Sequence, residues 1–322
     1  EYSFNQLDNI DDVIAQVKNI AVSDFNIFKT DNPVMDFPLI VEEEITDNFS
    51  SEFEIDPFVY SAEEKLEKMN KLMALGISKD EHLIDFRISY EEVKISKVFI
   101  SNKKDLSQSI LYTNLSFVPI GRKTDSVKYD FRSASGLHGY EIFDNCELLI
   151  DEAINSVKAL YNAKRIKPGE YDVIFDPSVS GLVAHEAFGH GVEMDMFVKN
   201  RAKGQEFINK KVASEKVNMR DGALSGVSVG TYLFDDEGTL GTDTLVIDKS
   251  ILKSGISDLL SALKLGTVPT GNGRRESFER KAYARMTNTF FEGGENTLEE
   301  MIESIEKGYL LEGYFSGMED PK

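Results

Sequence analysis

"SAEEKLEKMNKLMALGI" (residues 61–77), followed by "HLIDFRISYEEVKISKVFISN" (residues 82–102), decides the fold class, because the hydrophobic period changes between the two. In the first, Leu66, Met69, Leu72 and Met73 recur at helical spacing, and Gly76 stands where a helix stop belongs. In the second, apolar and polar residues alternate, as in antiparallel strands with one solvated face. The alternation continues through "QSILYTNLSFVPIG" (108–121) and "SVKYDFRSASG" (126–136), and helical spacing returns in "CELLIDEAINSVKALYNAKRI" (146–166). Upstream, "NIDDVIAQVKNIAV" (9–22) reads as a helix capped by Asn9 or Asp11, and "MDFPLIVEEEI" (35–45) as an extended segment.

Beyond the Pro168–Gly169 turn the pattern starts afresh. "KPGEYDVIFDPSVSGL" (167–182) reads as turn, short buried strand and helix start. "VSVGTYLFDDEG" (227–238) reads as a strand, and "TDTLVIDKSILKSGISD" (242–258) as a hairpin turning near Asp248 to Ser250. "LLSALKLG" (259–266) and "NTLEEMIESIEKGY" (296–309) read as helices. The expectation is an α+β protein with largely antiparallel sheets in two mixed halves, an N-terminal domain over 1–167 and a C-terminal domain over 168–322.

The 322 residues are 41% apolar, enough for substantial cores. A net charge of −20 argues against direct nucleic-acid contact, which needs a clustered positive field. No apolar run reaches the ~18 to 20 residues of a membrane span. The single cysteine, Cys146, excludes an intrachain disulfide and fits a reducing, cytoplasmic setting. The acidic start without Met and the ending "GMEDPK" read as a chain trimmed at both ends. His82 and His138 are isolated from other metal-ligand types and read as structural or surface residues.

The chemistry concentrates in "VAHEAFGHGVEMD" (183–195). Asp176 and Pro177 mark a helix start, and Val179, Leu182 and Val183 should face the core. His185, Glu186 and His190 supply two imidazoles and a carboxylate, types that suit zinc and the activation of water. In the familiar H-E-x-x-H pattern the histidines are four apart and share a helix face. Here they are five apart, which on a regular helix turns them about 140° from each other. A π-bulge would restore a shared face, and Gly189 could ease it or let the helix end. Two structural histidines remain the alternative. Glu193 and Asp195 are either partners that orient the imidazoles or solvated carboxylates past the helix end.

A second constellation, "TGNGRRESFERKAYARMTNTFFEGG" (270–294), puts Arg274 and Arg275 after a Gly-containing turn, with Arg285 and Asn288 further on. It could bind a peptide carboxylate or phosphate, or pair internally with acids; it lacks the Walker pattern.

Taken together, "HEAFGHGVEMD" (185–195), "DDEGT" (235–239), "TGNGRRESF" (270–278), "RMTNTFFEGG" (285–294) and "ENTLEEMIESIEKGYLLEGYFSG" (295–317) resemble the TldD/PmbA family of zinc metallopeptidases. The resemblance covers most of the second half; the first half matches in general pattern only. It implies a two-domain peptidase of flexible or unfolded peptides, a homodimer or a heterodimer with a family homologue. It implies zinc on His185 and His190 with Glu186 as the catalytic base; Arg274, Arg275 and Asn288 are candidates for substrate support from the arginine constellation itself, not from the resemblance. The family's third ligand, a cysteine, lies beyond the matching region, and Cys146 is not its equivalent. The family's name has been linked to DNA gyrase; the charge points to a link through peptide degradation. The rival reading is a non-catalytic companion subunit with a vestigial metal site.

Overall fold

The structure is a computed structural model and describes Phe4, residues 9–28 and residues 41–317. Most of the extended stretch expected at 35–45 lies outside the described residues. The fold is α+β, as the change of period requires.

Helix α1 (Ile10–Phe28) is followed by β1 (Ile45–Ser50), α2 (Ala62–Ser78), β2 (Leu83–Ile100), β3 (Lys104–Lys123), β4 (Ser126–Tyr129), β5 (Arg132–Gly136) and α3 (Cys146–Leu160). Strand β3 is the spine of a five-stranded sheet. β2 runs antiparallel along one edge, while β1, β5 and β4 share the other edge in succession. β1 is parallel to β3, a departure from the otherwise antiparallel pattern. Helices α2 and α3 cover one face, and Leu72, Phe86, Leu115, Phe117, Ile150 and Ile154 form the core between. Cys146 is buried in that same core, far from the metal motif's half, and burial pushes its thiol up.

The start of α2 follows from its sequence: Ser61 and Glu64 form a capping box. Its end does not follow the expectation. The helix runs through Gly76 to Ser78, and the glycine is there for packing: a Cβ at position 76 would sit 2.6 Å from the Phe86 ring. That glycine is a contact point, not a stop. The buried stripe is correspondingly shifted: Leu72 is buried and Met69 partly so, while Leu66 is exposed.

Residues 162–170 run exposed into the second half, which holds β6 (Asp172–Phe175), α4 (Pro177–Val183), α5 (Met194–Val198), α6 (Gly204–Phe207), β7 (Met219–Gly222), β8 (Thr244–Asp248), β9 (Ile251–Leu252), α7 (Leu259–Leu265), β10 (Gly273–Arg274), β11 (Tyr283–Ala284), β12 (Asn288–Phe291), α8 (Leu298–Glu303) and β13 (Gly308–Leu311). A sheet of order β12-β7-β8-β9 is antiparallel throughout. The hairpin forms where expected, with Lys249 and Ser250 at positive φ. Three expectations fail. The helix expected over 296–309 is confined to Leu298–Glu303, with Gly308 and Tyr309 in β13. Strand β6 is mostly exposed, paired in parallel with β13. Residues 227–238 form a loop instead of a strand, because Asp235 gathers the local amides: its Oδ1 accepts from Glu237 and Thr239.

The halves meet at that loop. Gln108 of β3 donates to the Phe234 carbonyl and accepts from the Leu233 and Phe234 amides. Lys97 pairs with Asp236, and Ile110 packs with Ala223 and Tyr232.

Candidate metal centre

Asp176 caps α4, its Oδ1 accepting from the Val179 amide at 2.7 Å, and Pro177 takes the first helical position. Val179 is buried as expected; Leu182 and Val183 are half-buried. The helix then does what the five-residue spacing demands: Ala184–Gly189 is a π turn, and the His190 amide donates to the His185 carbonyl. The extra residue brings the two imidazoles together. Their ring centroids are 4.7 Å apart and their planes nearly perpendicular, at 88°.

Gly189 makes the turn possible from outside. A Cβ there would collide with Met286 Sδ, so the turn seats directly on the core of Ala184, Val192, Met219, Ile247, Ile256 and Met286. The chain then leaves the helix against residue 256: the Met194 amide donates to the Ile256 carbonyl, and the Ile256 amide to that of Val192. This fixes Glu193 and Asp195 facing inward. Both are buried, so neither is a solvated carboxylate past a helix end.

Glu193 and Asp195 have different partners. Glu193 Oε1 faces His190 Nδ1 at 3.6 Å, and its Oε2 accepts from Arg285 at 3.3 Å. Burial pushes the Glu193 carboxyl up to about 7, against the opposing pull of Arg285 and His190. Asp195 accepts from Lys199 at 2.8 Å and lies 3.9 Å from Arg285, with no imidazole beside it. Glu193 Oε1 and Asp195 Oδ1 are buried without a hydrogen-bond partner among the described residues. That orphaned Glu193 oxygen suits an imidazole with its proton on Nδ1 and its Nε2 left for a metal ion. The histidine pair therefore fits two positions of a zinc shell. Among the described residues, no group of three or more His, Cys, Asp or Glu is arranged to hold an ion.

The arginine constellation joins the same place. His185, His190, Glu193, Arg274, Arg275 and Arg285 line one cleft of about 760 Å³. Arg274 donates to the Met286 carbonyl and Arg275 to that of Arg280. Asn288 is elsewhere: it is buried, and its amide donates to the Gly226 carbonyl and Thr231 Oγ1, holding a loop. Glu186 lines a second cleft with His190, and Gly317 lies against Glu186 Cγ and Leu182. Sequence reasoning missed Arg280, Lys281 and Tyr283, which complete the first cleft. "ERKAY" carries no periodic or motif signal that separates it from ordinary surface.

The remaining shared motifs build the frame. Asp235 Oδ2 accepts from the Gly273 amide, Asp236 from that of Arg275, and Glu237 from that of Leu259. Asn272 donates to Asp221, which also takes the Thr287 amide and hydroxyl. "DDEGT", "TGNGRRESF" and "RMTNTFFEGG" are thus one hydrogen-bonded unit under the histidine turn.

Comparison with known proteins agrees. Residues 168–322 match the family model of the PmbA/TldA metallopeptidase C-terminal domain. The chain is 28% identical to a metalloprotease of Methanocaldococcus jannaschii, over 95% of this chain and 68% of that protein. It is also 28% identical to a zinc metalloprotease TldD homologue of Saccharolobus solfataricus, over 77% of this chain and 56% of that one. It therefore spans about two thirds of the first relative and just over half of the second. The solved structure of TldE from Thermococcus kodakarensis superposes with a TM-score of 0.70 at 22% identity, covering 91% of this chain and 66% of that one. A Thermotoga maritima structure whose name refers to modulation of DNA gyrase gives the same score over 80% of this chain and 58% of that one. The motifs, their spatial union and these likenesses place the chain in the TldD/PmbA family.

Proposed function

We propose that the chain carries the metal-binding and proton-transferring residues of a zinc-dependent peptidase acting on flexible peptides. The observation that supports this most directly is the π turn, an irregular backbone that brings His185 and His190 to one place, with Glu186 next to His185 in the chain and lining a cleft with His190. His185 and His190 would hold the ion, which when bound supplies Lewis acidity to the carbonyl under attack. Glu193, whose Oε1 lies 3.6 Å from His190 Nδ1, would orient that imidazole by accepting its Nδ1 proton when the two close to hydrogen-bond distance. Glu186 takes the proton of the attacking water and returns it to the leaving amine. Burial of the Val192–Asp195 segment keeps the supporting carboxylates away from bulk water.

The test is zinc content and peptide cleavage in parallel. Glu186→Gln is expected to retain zinc and lose cleavage by ~100-fold or more. His185→Ala and His190→Ala are expected to lose both. Cleavage by Glu186→Gln at the wild-type rate would overturn the mechanism.

A further inference from the structure

The segment from His190 to Glu193 divides two clefts of different character. One, of about 760 Å³, is basic: Arg274, Arg275, Arg280, Lys281 and Arg285 line it against Glu193, Glu276 and Glu279. Arg285 is engaged with Glu193 and Asp195, but Arg274 donates to a neutral carbonyl, and Arg280 lies 3.9 Å from the exposed Glu276. The other cleft, of about 730 Å³, contains Glu186 and is walled by Phe188, Val192, Met196, Phe207, Val212 and Leu252. Arg201, Lys203 and Lys211 line it as well.

Basic residues gathered here in a chain of net charge −20 require an explanation. The acidic surface as a whole repels an acidic peptide at long range. Salt screens that repulsion beyond about 10 Å at 0.1 M, so contact with the cleft decides selectivity once the peptide arrives. A lysine or arginine on the peptide would meet like charge in either cleft. A carboxylate would meet guanidinium groups that favour it. The apolar walls of the second cleft offer burial to an apolar side chain, and its charges, Arg201, Lys203 and Lys211 against Glu186 and Glu193, leave it less basic than the first.

We propose that the peptide recognised here carries an apolar side chain on one side of the bond to be cut and a carboxylate on the other. This rests on the peptidase reading for what "cut" means, and its selectivity is measurable without cleavage. The carboxylate has two sources, an acidic side chain or a free C-terminus.

Labelled peptides with a leucine at the apolar position would be titrated into zinc-supplied Glu186→Gln protein. They would differ at the next residue as Glu, Gln or Lys, with a second series ending there as free acid or amide. The expected order is Glu over Gln over Lys, with about tenfold between the extremes at low salt and less at 0.5 M. A preference confined to the free-acid series assigns the C-terminus; one kept in amidated peptides assigns the side chain. Arg280→Glu combined with Lys281→Glu, both at exposed positions, is expected to abolish or invert the Glu-over-Lys order. Phe207→Ser is expected to weaken the leucine peptides severalfold and leave the charge order intact. Equal affinity for Glu, Gln and Lys peptides, or an order unmoved by the double charge reversal, would overturn the proposal. Charge-selective binding with no cleavage by the unmutated chain would instead count against the peptidase reading alone. Cleavage without charge preference would sink only this inference.

Discussion

In the first half, one strand of 20 residues lies between a parallel and three antiparallel partners; in the second, no described element exceeds seven residues. The first half is held by ladder hydrogen bonds and a continuous apolar core under two helices. The second is held by buried side chains that bind backbone amides. Asp221, Asp235, Asp258 and Asn272 each tie segments distant in sequence. The difference has a use. A π turn and two clefts need backbone that no regular ladder provides, and polar side chains can fix such backbone in place.

The sharpest challenge to this contrast is Phe86→Ala. The side chain is fully buried, so the loss should be about 3 to 5 kcal/mol in denaturant unfolding. Asp221→Ala should cost about 3 kcal/mol by stranding Asn272, Thr287 and Thr289. Its loss of hydrogen-exchange protection should centre on residues 219–222 and 285–291. Equal loosening of β2 and β3 would erase the distinction between the halves. Gly189→Ala should cost about 1 to 3 kcal/mol and reduce zinc uptake, since the methyl collides with Met286. Adding Met286→Ala should restore part of the uptake, and no recovery would mean that the turn fails for another reason.

A smaller effect follows from the acids of the frame. Burial pushes the Asp235 carboxyl up to about 6 and Glu237 up to about 7. Groups raised in this way bind protons more tightly folded than unfolded. Their contribution to stability therefore declines as pH rises from about 4 to 7 and is constant outside that window. Thermal unfolding of Glu237→Gln should show a shallower decline over that window than the unmutated chain; an identical slope would exclude Glu237 as its source. The weakest effect should be Lys71→Ala, which breaks an exposed pair with Glu67 and should shift stability by less than about 0.5 kcal/mol.

These two modes of construction also explain what the sequence disclosed. Repetition is legible: the alternation of β2 and β3, the capping boxes at Ser61 and Thr297 and the hairpin at Lys249 and Ser250 all follow local rules. The π turn was legible as one of two local irregularities, the other being a helix end at Gly189, that would let histidines five apart share a face. What escaped is set by contacts across the chain. Gly76 looks like a helix terminator until Phe86 is packed against it. Residues 227–238 alternate like a strand, but the amides within 233–239 are taken by Gln108 and Asp235. Asn288 looks available for ligand until its amide is found inside a loop. Arg280 and Lys281 acquire meaning only when the β10–β11 pair folds them over the histidines.

Gln108 carries a consequence for the order of folding. Its amide both gives and takes bonds with the 233–234 backbone, so the partner segment fits only one residue of β3. A slip of β3 by one position would offer Ser107 or Ser109 instead and turn its apolar side outward. The expected order is therefore that the long hairpin finds its alignment before the loop carrying Asp235 settles. In refolding, Gln108→Ala should delay the acquisition of zinc more than the formation of strand structure. Equal delay of both would mean that the two halves assemble in a single step.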